Sequence, residues 1–401
     1  MSTSQDWETV IGLEVHVELA TETKLFSTAP NRFCEDPNTC IDPVVLGLPG
    51  SLTVLNERAI ELSIRTGLAL GCEVQPCVFA RKNYFYPDMP KDYQISQYDR
   101  PLNVDGHLEL ADGSVVGIER AHLEEDTGKS THIGGGGRIH DAEYSLVDYN
   151  RAGVPLLEIV SRPDIRSAEQ ARAYVEELQA IVVAIGASDG RLEEGSMRVD
   201  ANVSVRPVGS DELRTRCEIK NVNSLRSLVK AIDHEAARHV DLWSHGEAPR
   251  QETRHWDEAA GRTTPGRSKE EAEDYRYFTE PDLVPVEPDP AWIESIRASL
   301  PALPAARRAR LVDDLAADPA DAALLVQRGL DQLVADAAAE GAPADRLLTR
   351  AVHNLADADP AALTAPHLAQ LVSMEADGAL TATQAKQVLA DMVETGRPPA
   401  D

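Results

Sequence analysis

The sequence predicts an α+β fold followed by an all-helical region, and three observations predict it. Several short segments alternate strictly between polar and apolar side chains, which is the strand period. Capped segments with helical spacing lie between them. Beyond Trp292, the last aromatic residue, the chain turns to Ala, Leu, Asp and Arg with helical spacing, and all five cysteines lie before it.

Taken in order, Glu14-Val15-His16-Val17-Glu18 is a strand whose valines enter a core while Glu14, His16 and Glu18 share the other face. Asn56 to Gly71 reads as a capped amphipathic helix that ends at glycine. Arg120 to Asp126 is a dense acidic stretch beside His122. The tract Gly134 to Gly137, between His132 and His140, is a loop without P-loop spacing. Helices are predicted over 167–185 and from about Leu225 to Trp243. Between those helices, Arg198 to Arg206 has period two, with Arg198, Asp200, Asn202, Ser204 and Arg206 on one face. Arg216 to Lys220 is a third such strand and puts Glu218 and Lys220 on one side.

Pro281, Pro285, Pro288 and Pro290 interrupt helix formation at the crossing, so an α+β domain spans 1–290 and a helical domain 291–380. Within the latter, Asp318-Pro319, Gly341-Ala342-Pro343 and Asp359-Pro360 are turn signals. Residues 381–401 begin a last helix, with Thr381 as N-cap, and end in a linker-like Pro398-Pro399.

A formal net charge of −28 over 401 residues argues against a general nucleic-acid binder, which carries a basic surface. The N-terminus shows no signal-peptide pattern, and no apolar run is long enough to span a bilayer, so a cytoplasmic location is expected. Cys34, Cys40, Cys72, Cys77 and Cys217 form no framework and read as reduced thiols, with Cys34 and Cys40 at best half of a metal site.

Carboxylates around an imidazole on rigid strands can hold a divalent cation, and hard oxygen donors favour Mg²⁺ over zinc. A solvated amphipathic strand is the plainer account of Glu14 to Glu18 by itself; repetition across several strands favours a charged ligand with its metal. Arg81 to Asp88, with Tyr93 and Tyr98, joins cations to aromatics that can stack on a base or serve as core. No nucleophile constellation is evident, so the inventory suits positioning and metal electrostatics, as in phosphoryl transfer.

The strings Val10 to Leu19, Arg81 to Asp88, Gln94 to Asp99, His122 to Ser130 and Asp148 to Val160 resemble the B subunits of the aspartyl/glutamyl-tRNA amidotransferases. So do Glu193 to Asn202, Cys217 to Ser224 and Asp274 to Phe278. The resemblance covers the whole first domain in order. It implies a cradle domain built on antiparallel sheet with helices, then a helical domain, in a heterotrimer with an amidase (A) subunit and a small (C) subunit. The implied reaction uses ATP to phosphorylate the side-chain carboxylate of Glu-tRNA(Gln) or Asp-tRNA(Asn). Ammonia supplied by the amidase then displaces the phosphate.

By the same resemblance His16, Glu125 and Glu158 are the expected Mg²⁺ ligands, with Glu14 beside them. Asp200 and Glu218 would position a second cation, water or ammonia, while Lys82 and Lys220 would neutralise phosphate charge. Some family members carry extra cysteines suited to zinc near Cys34 and Cys40; Pro43 to Gly47 lacks them here, so no structural zinc is expected. Family chains also continue into a helical tail domain, which this sequence stops short of. A non-catalytic tRNA-docking scaffold for the amidase is the alternative function.

Overall fold

The computed structural model describes residues 6–134, 142–268, 275–355 and 362–400. Gly135 to Gly137, His140, Asp274 and the turn at Asp359-Pro360 lie outside them. The chain divides into two compact units, 1–300 and 301–401.

In unit 1 the strands run β1 (Trp7–Glu18), β2 (Glu73–Val74), β3 (Ala80–Asn83), β4 (Tyr93–Ser96), β5 (Asn103–Glu109), β6 (Val115–Glu125), β7 (Lys129–Ile133), β8 (Tyr144–Asp148) and β9 (Pro155–Ser161). After them come β10 (Met197–Pro207), β11 (Cys217–Val222), β12 (Glu252–Asp257), β13 (Arg262–Ser268) and β14 (Phe278–Thr279). The helices are α1 (Glu57–Ala69), α2 (Ala168–Ala184), α3 (Leu225–Ser244) and α4 (Pro290–Ala298). Twelve strands form one sheet whose main path is β13-β12-β11-β10-β1-β9-β6-β4-β3-β14, with β5 on β6 and β2 on β5. Strands β7 and β8 pair as a separate two-stranded sheet. The pairs are antiparallel except β11–β12, which is parallel and joined by a crossover through α3.

Period two decides which face each strand residue takes. Ile11, Leu13, Val15 and Val17 are fully buried, as are Val203 and Ile219. Helices α1, α2 and α3 pack on the sheet and supply Ile60, Leu62, Tyr174, Leu178 and Leu228 to the core. Burying each such side chain contributes about 1.5–3 kcal/mol. The helices start where capping chemistry places them: Asn56, Ser167 and Ser224 side chains accept from first-turn backbone N–H groups. Close approach of α1 to the sheet needs Gly67, because a Cβ there would meet Asn103 Oδ1. The left-handed Gly71 (φ 65°) follows the end of α1.

Helix α4 belongs to unit 1, where it packs on α1, and this unit runs to Leu300, ten residues past the boundary expected at 290. Arg65 Nη1 and Nη2 donate to Ser299 Oγ and O at 2.8 and 3.0 Å. Pro290 is the first residue of α4 after the N-cap Asp289, a position where proline starts a helix.

Cys34 and Cys40 are joined as a disulfide, which corrects the expectation of five reduced thiols. The turn between them folds back on the segment at 148–150, where Asp148 and Asn150 side chains accept from the N–H groups of Asn38, Thr39 and Cys40. Cys72, Cys77 and Cys217 are free and buried.

Unit 2 contains α5 (Pro304–Leu315), α6 (Pro319–Gln327), α7 (Asp331–Ala339), α8 (Ala344–Asn354), α9 (Ala365–Ala376) and α10 (Ala382–Thr395). They enclose Leu325, Val334, Leu347, Leu371 and Leu389. Inside this core Arg350 donates to both carboxylate oxygens of Glu375 and to Ala382 O. Thr381 and Gln384 form a capping box at the start of α10.

Candidate active site

The sheet face turned away from α1–α3 carries the polar residues of the same alternating strands. It borders a cavity of about 1190 Å³ lined by residues of β1, β3, β6, β9, β11, β12 and β13 and by Tyr275 and Tyr277. Two groups of potential ligands stand in it side by side, both reaching out from β1.

The inner group follows from strand register. His16 on β1 lies opposite Glu158 on β9, which lies opposite His122 on β6. His16 Nε2 is 3.5 Å from Glu158 Oε2 and 3.7 Å from Glu124 Oε1. His122 Nε2 is 3.4 Å from the same Glu158 oxygen. Burial by itself would depress His16, but Glu158, Glu124 and Asp200 outweigh it and raise its pKa to about 9. For His122 burial wins, helped by Arg120, His16 and Lys82, and its pKa falls to about 4. Burial also opposes ionisation of Glu158, yet the flanking imidazoles hold its carboxyl well below the usual range. Burial and the charge of Glu158 push Glu124 up.

The outer group comes from the other side of β1. Glu14 lies opposite Asp200 on β10, and Asn202 lies opposite Glu218 on β11. Glu14, Asp200 and Glu218 can each offer an oxygen, all within 4.8 Å of one another. Asn202 Nδ2 donates to Glu14 Oε1 at 3.0 Å, and Thr253 Oγ1 donates to Glu218 Oε2 at 2.7 Å. Lys220 Nζ sits 2.7 Å from Asp200 Oδ2 and 3.4 Å from Glu218 Oε1. Burial opposes its charge, but these carboxylates raise its pKa nonetheless.

A third side of the cavity is cationic and aromatic. Lys82 Nζ lies 4.7 Å from the centre of the Tyr275 ring, and Lys82, Arg120 and Arg216 all line the space. Tyr98 stacks on Tyr277 with ring centroids 4.2 Å apart and planes at 6°. Asn83 Nδ2 anchors the tyrosine segment by donating to Tyr275 O and Arg276 O, and Arg81 holds Glu280 through two hydrogen bonds.

Of the residues expected from sequence, Glu14, His16, Lys82, Glu158, Asp200, Glu218 and Lys220 gather on this face. Glu125 does not, and its assignment as a partner of His16 and Glu158 is corrected. It is the next residue after Glu124 on β6, so its side chain leaves by the opposite face. There its Oε1 accepts from Lys91 Nζ at 2.5 Å and from Ile95 N at 2.9 Å. Glu124 takes the place intended for it, and counting in twos from His122 would have found it. Arg120 and Arg216 open segments singled out from sequence and share the parity of His122 and Glu218, and Tyr277 lies in the segment Asp274 to Phe278, but none was assigned a role; Thr253 was missed, and nothing in the local sequence marks it.

The donor sets suit Mg²⁺. The outer one is all carboxylate, the donor type Mg²⁺ prefers, and Lys220 pairs with two of its members. A third cluster, Cys217, Glu235 and His239, is fully buried and offers one oxygen-donor side chain beside a thiol and an imidazole, so it does not match the oxygen donors Mg²⁺ takes; Arg238 donates to Glu235 there and lies 3.3 Å from Cys217 Sγ. Burial pushes the Cys217 thiol up to about 11.

An open polar face bearing acid clusters, cations and stacking surfaces is a concave site suited to a charged ligand. Residues 9–294 match the family model described as the GatB/GatE catalytic domain. The chain is 50% identical over 404 aligned residues to the B subunit of the aspartyl/glutamyl-tRNA(Asn/Gln) amidotransferase from Thermobifida fusca (strain YX), covering 96% of this chain and 78% of that one. The proteins of the same description from Nocardia farcinica (strain IFM 10152) and Corynebacterium glutamicum (strain ATCC 13032) are 50% and 48% identical. Those alignments cover 97% and 96% of this chain and 81% and 82% of theirs. The chain belongs to the GatB family of amidotransferase B subunits.

Proposed function

We propose that this chain is the B subunit of a tRNA-dependent amidotransferase, working with an amidase subunit and a small third subunit. Its substrates are misacylated Glu-tRNA(Gln), Asp-tRNA(Asn) or both. In the first step a side-chain carboxylate oxygen of the aminoacyl group takes the terminal phosphoryl group of ATP, and ADP leaves. In the second, ammonia attacks the activated carbonyl carbon, phosphate leaves, and the amide remains. The observation that carries this reading is the meeting of two acid clusters with Lys82, Arg120 and Arg216 in one cavity.

The residues divide the work by position. Lys82, Arg120 and Arg216 offset phosphate charge, and the tyrosines offer flat faces for a base. Glu124, Glu158 and His16 would hold one Mg²⁺, and Glu14, Asp200 and Glu218 a second. When bound, magnesium would supply positive charge to offset that of the phosphates. Lys220 keeps the outer acids in a compact array. Among the described residues no helix is long and apolar enough to cross a membrane; a cytoplasmic site of action accords with a tRNA substrate.

The test is assembly with the candidate amidase and small subunit, followed by assay of ATP cleavage and amide formation on both misacylated tRNAs. Glu124→Gln should lower tRNA-dependent ATP cleavage by about a hundredfold or more, the range associated with loss of an electrostatic stabiliser. Undiminished cleavage in this variant would favour a docking scaffold instead.

A further inference from the structure

His122 has no assigned role, yet its placement is specific. Strands β1, β9 and β6 put His16, Glu158 and His122 directly opposite one another, so one carboxylate oxygen lies between two imidazole Nε2 atoms, 3.5 and 3.4 Å away. His122 is only 4% exposed, and its Nδ1 is buried with no hydrogen-bond partner among the described residues. An unsatisfied buried ring nitrogen costs stability, which an apolar side chain of similar size would avoid. A histidine kept there has its use at the other nitrogen.

The Nε2 of His16 carries a single lone pair. It cannot be given to a cation and at the same time bear the proton that pairs with Glu158. Once a cation takes it, that hold on Glu158 is gone, and among the described residues His122 Nε2, 3.4 Å away, is the other ring nitrogen placed to donate to the carboxylate. We propose that His122 is a positioning residue that holds Glu158 from the side away from His16 while the inner group carries a divalent cation. This rests on reading His16, Glu124 and Glu158 as a cation site. A partner of this kind fixes a carboxylate ligand's orientation, and its loss typically weakens metal affinity by about ten- to a hundredfold.

The experiment uses Mn²⁺ alone as probe on the intact chain, read by electron paramagnetic resonance in a Glu218→Gln background that disables the outer group. His122→Phe should weaken Mn²⁺ binding by about ten- to a hundredfold, whereas His122→Gln, which keeps an N–H donor, should stay within about threefold of the parent. In the unsubstituted chain, ¹⁵N spectra of the imidazoles with and without Mg²⁺ should show His122 carrying a proton on Nε2, a readout independent of how any variant folds. Parental Mn²⁺ affinity in His122→Phe, or a proton on Nδ1, overturns the proposal. If Glu158→Gln also binds Mn²⁺ like the parent, the cation reading of the inner group fails. If Glu158→Gln loses binding while His122→Phe keeps it, only the role of His122 fails.

Discussion

Glu124 and Glu125 are neighbours in sequence and occupy opposite faces of one sheet. The first meets His16 across the cavity, and the second is tied to Lys91 and Ile95 on the other side. Glu125→Gln should therefore leave Mn²⁺ affinity within about threefold of the parent, whereas Glu124→Gln should lower it by about tenfold or more. Direct titration of both variants checks this, and equal losses would contradict the geometry. Alternation made Glu14 and His16 readable, since the apolar Leu13, Val15 and Val17 flank them. The same rule was available at Glu124 but was masked by three consecutive acids, Glu124, Glu125 and Asp126. The stacking of Tyr98 on Tyr277 was not readable, because it depends on a fold that brings distant segments together.

Elements α3, β12 and β13 are joined beneath the outer group by a buried network. Glu235 accepts from Arg238, His239 and Thr263, while Arg254 donates to Thr263 Oγ1. Burial alone would raise the Glu235 carboxyl, but His239 and Arg238 bonded to it hold it far below the usual range. The unfolded chain thus binds this proton more readily than the folded one. The resulting stability is complete above about pH 4.3 and drains away as the pH falls below that value. Glu235→Gln should cost about 3 kcal/mol, as expected when one partner of a buried ion pair is removed. Urea unfolding at pH 7 and at pH 3.5 measures it, and the difference between variant and parent should shrink at the lower pH. Helices α1, α2, α3 and α10 were legible because their caps are local chemistry. The parallel placement of β12 beside β11 was not, because a strand's partner is chosen by the sheet as a whole.

At the scale of the molecule, the proposed function has a chain of net charge −28 handle a polyanionic substrate through a few cations set in one cavity. Binding should then depend only weakly on salt. Three cations against a single-stranded end give a slope of log K on log salt of about −2. Titrations from 50 to 300 mM salt check this, and a much steeper slope would place the main contact elsewhere. The helical unit carries its own buried ion pair, so Arg350→Ala should destabilise that unit by about 3–5 kcal/mol and leave Mn²⁺ binding by unit 1 unchanged. Hydrogen exchange resolved by region measures both effects. The composition change after Trp292 made the existence of a helical region readable. It did not reveal that α4 stays with the sheet, since that depends on its packing against α1.

Strand β1 is paired along both edges and contributes Glu14 to one cluster and His16 to the other. Two residues of extended backbone separate their origins by roughly 6.6 Å. That interval works as a built-in ruler. Insertions or remodelled loops at the rim can reshape what enters the cavity without altering the gauge between its two halves. A single residue added between Glu14 and His16 would turn one of them inward and break the scale altogether.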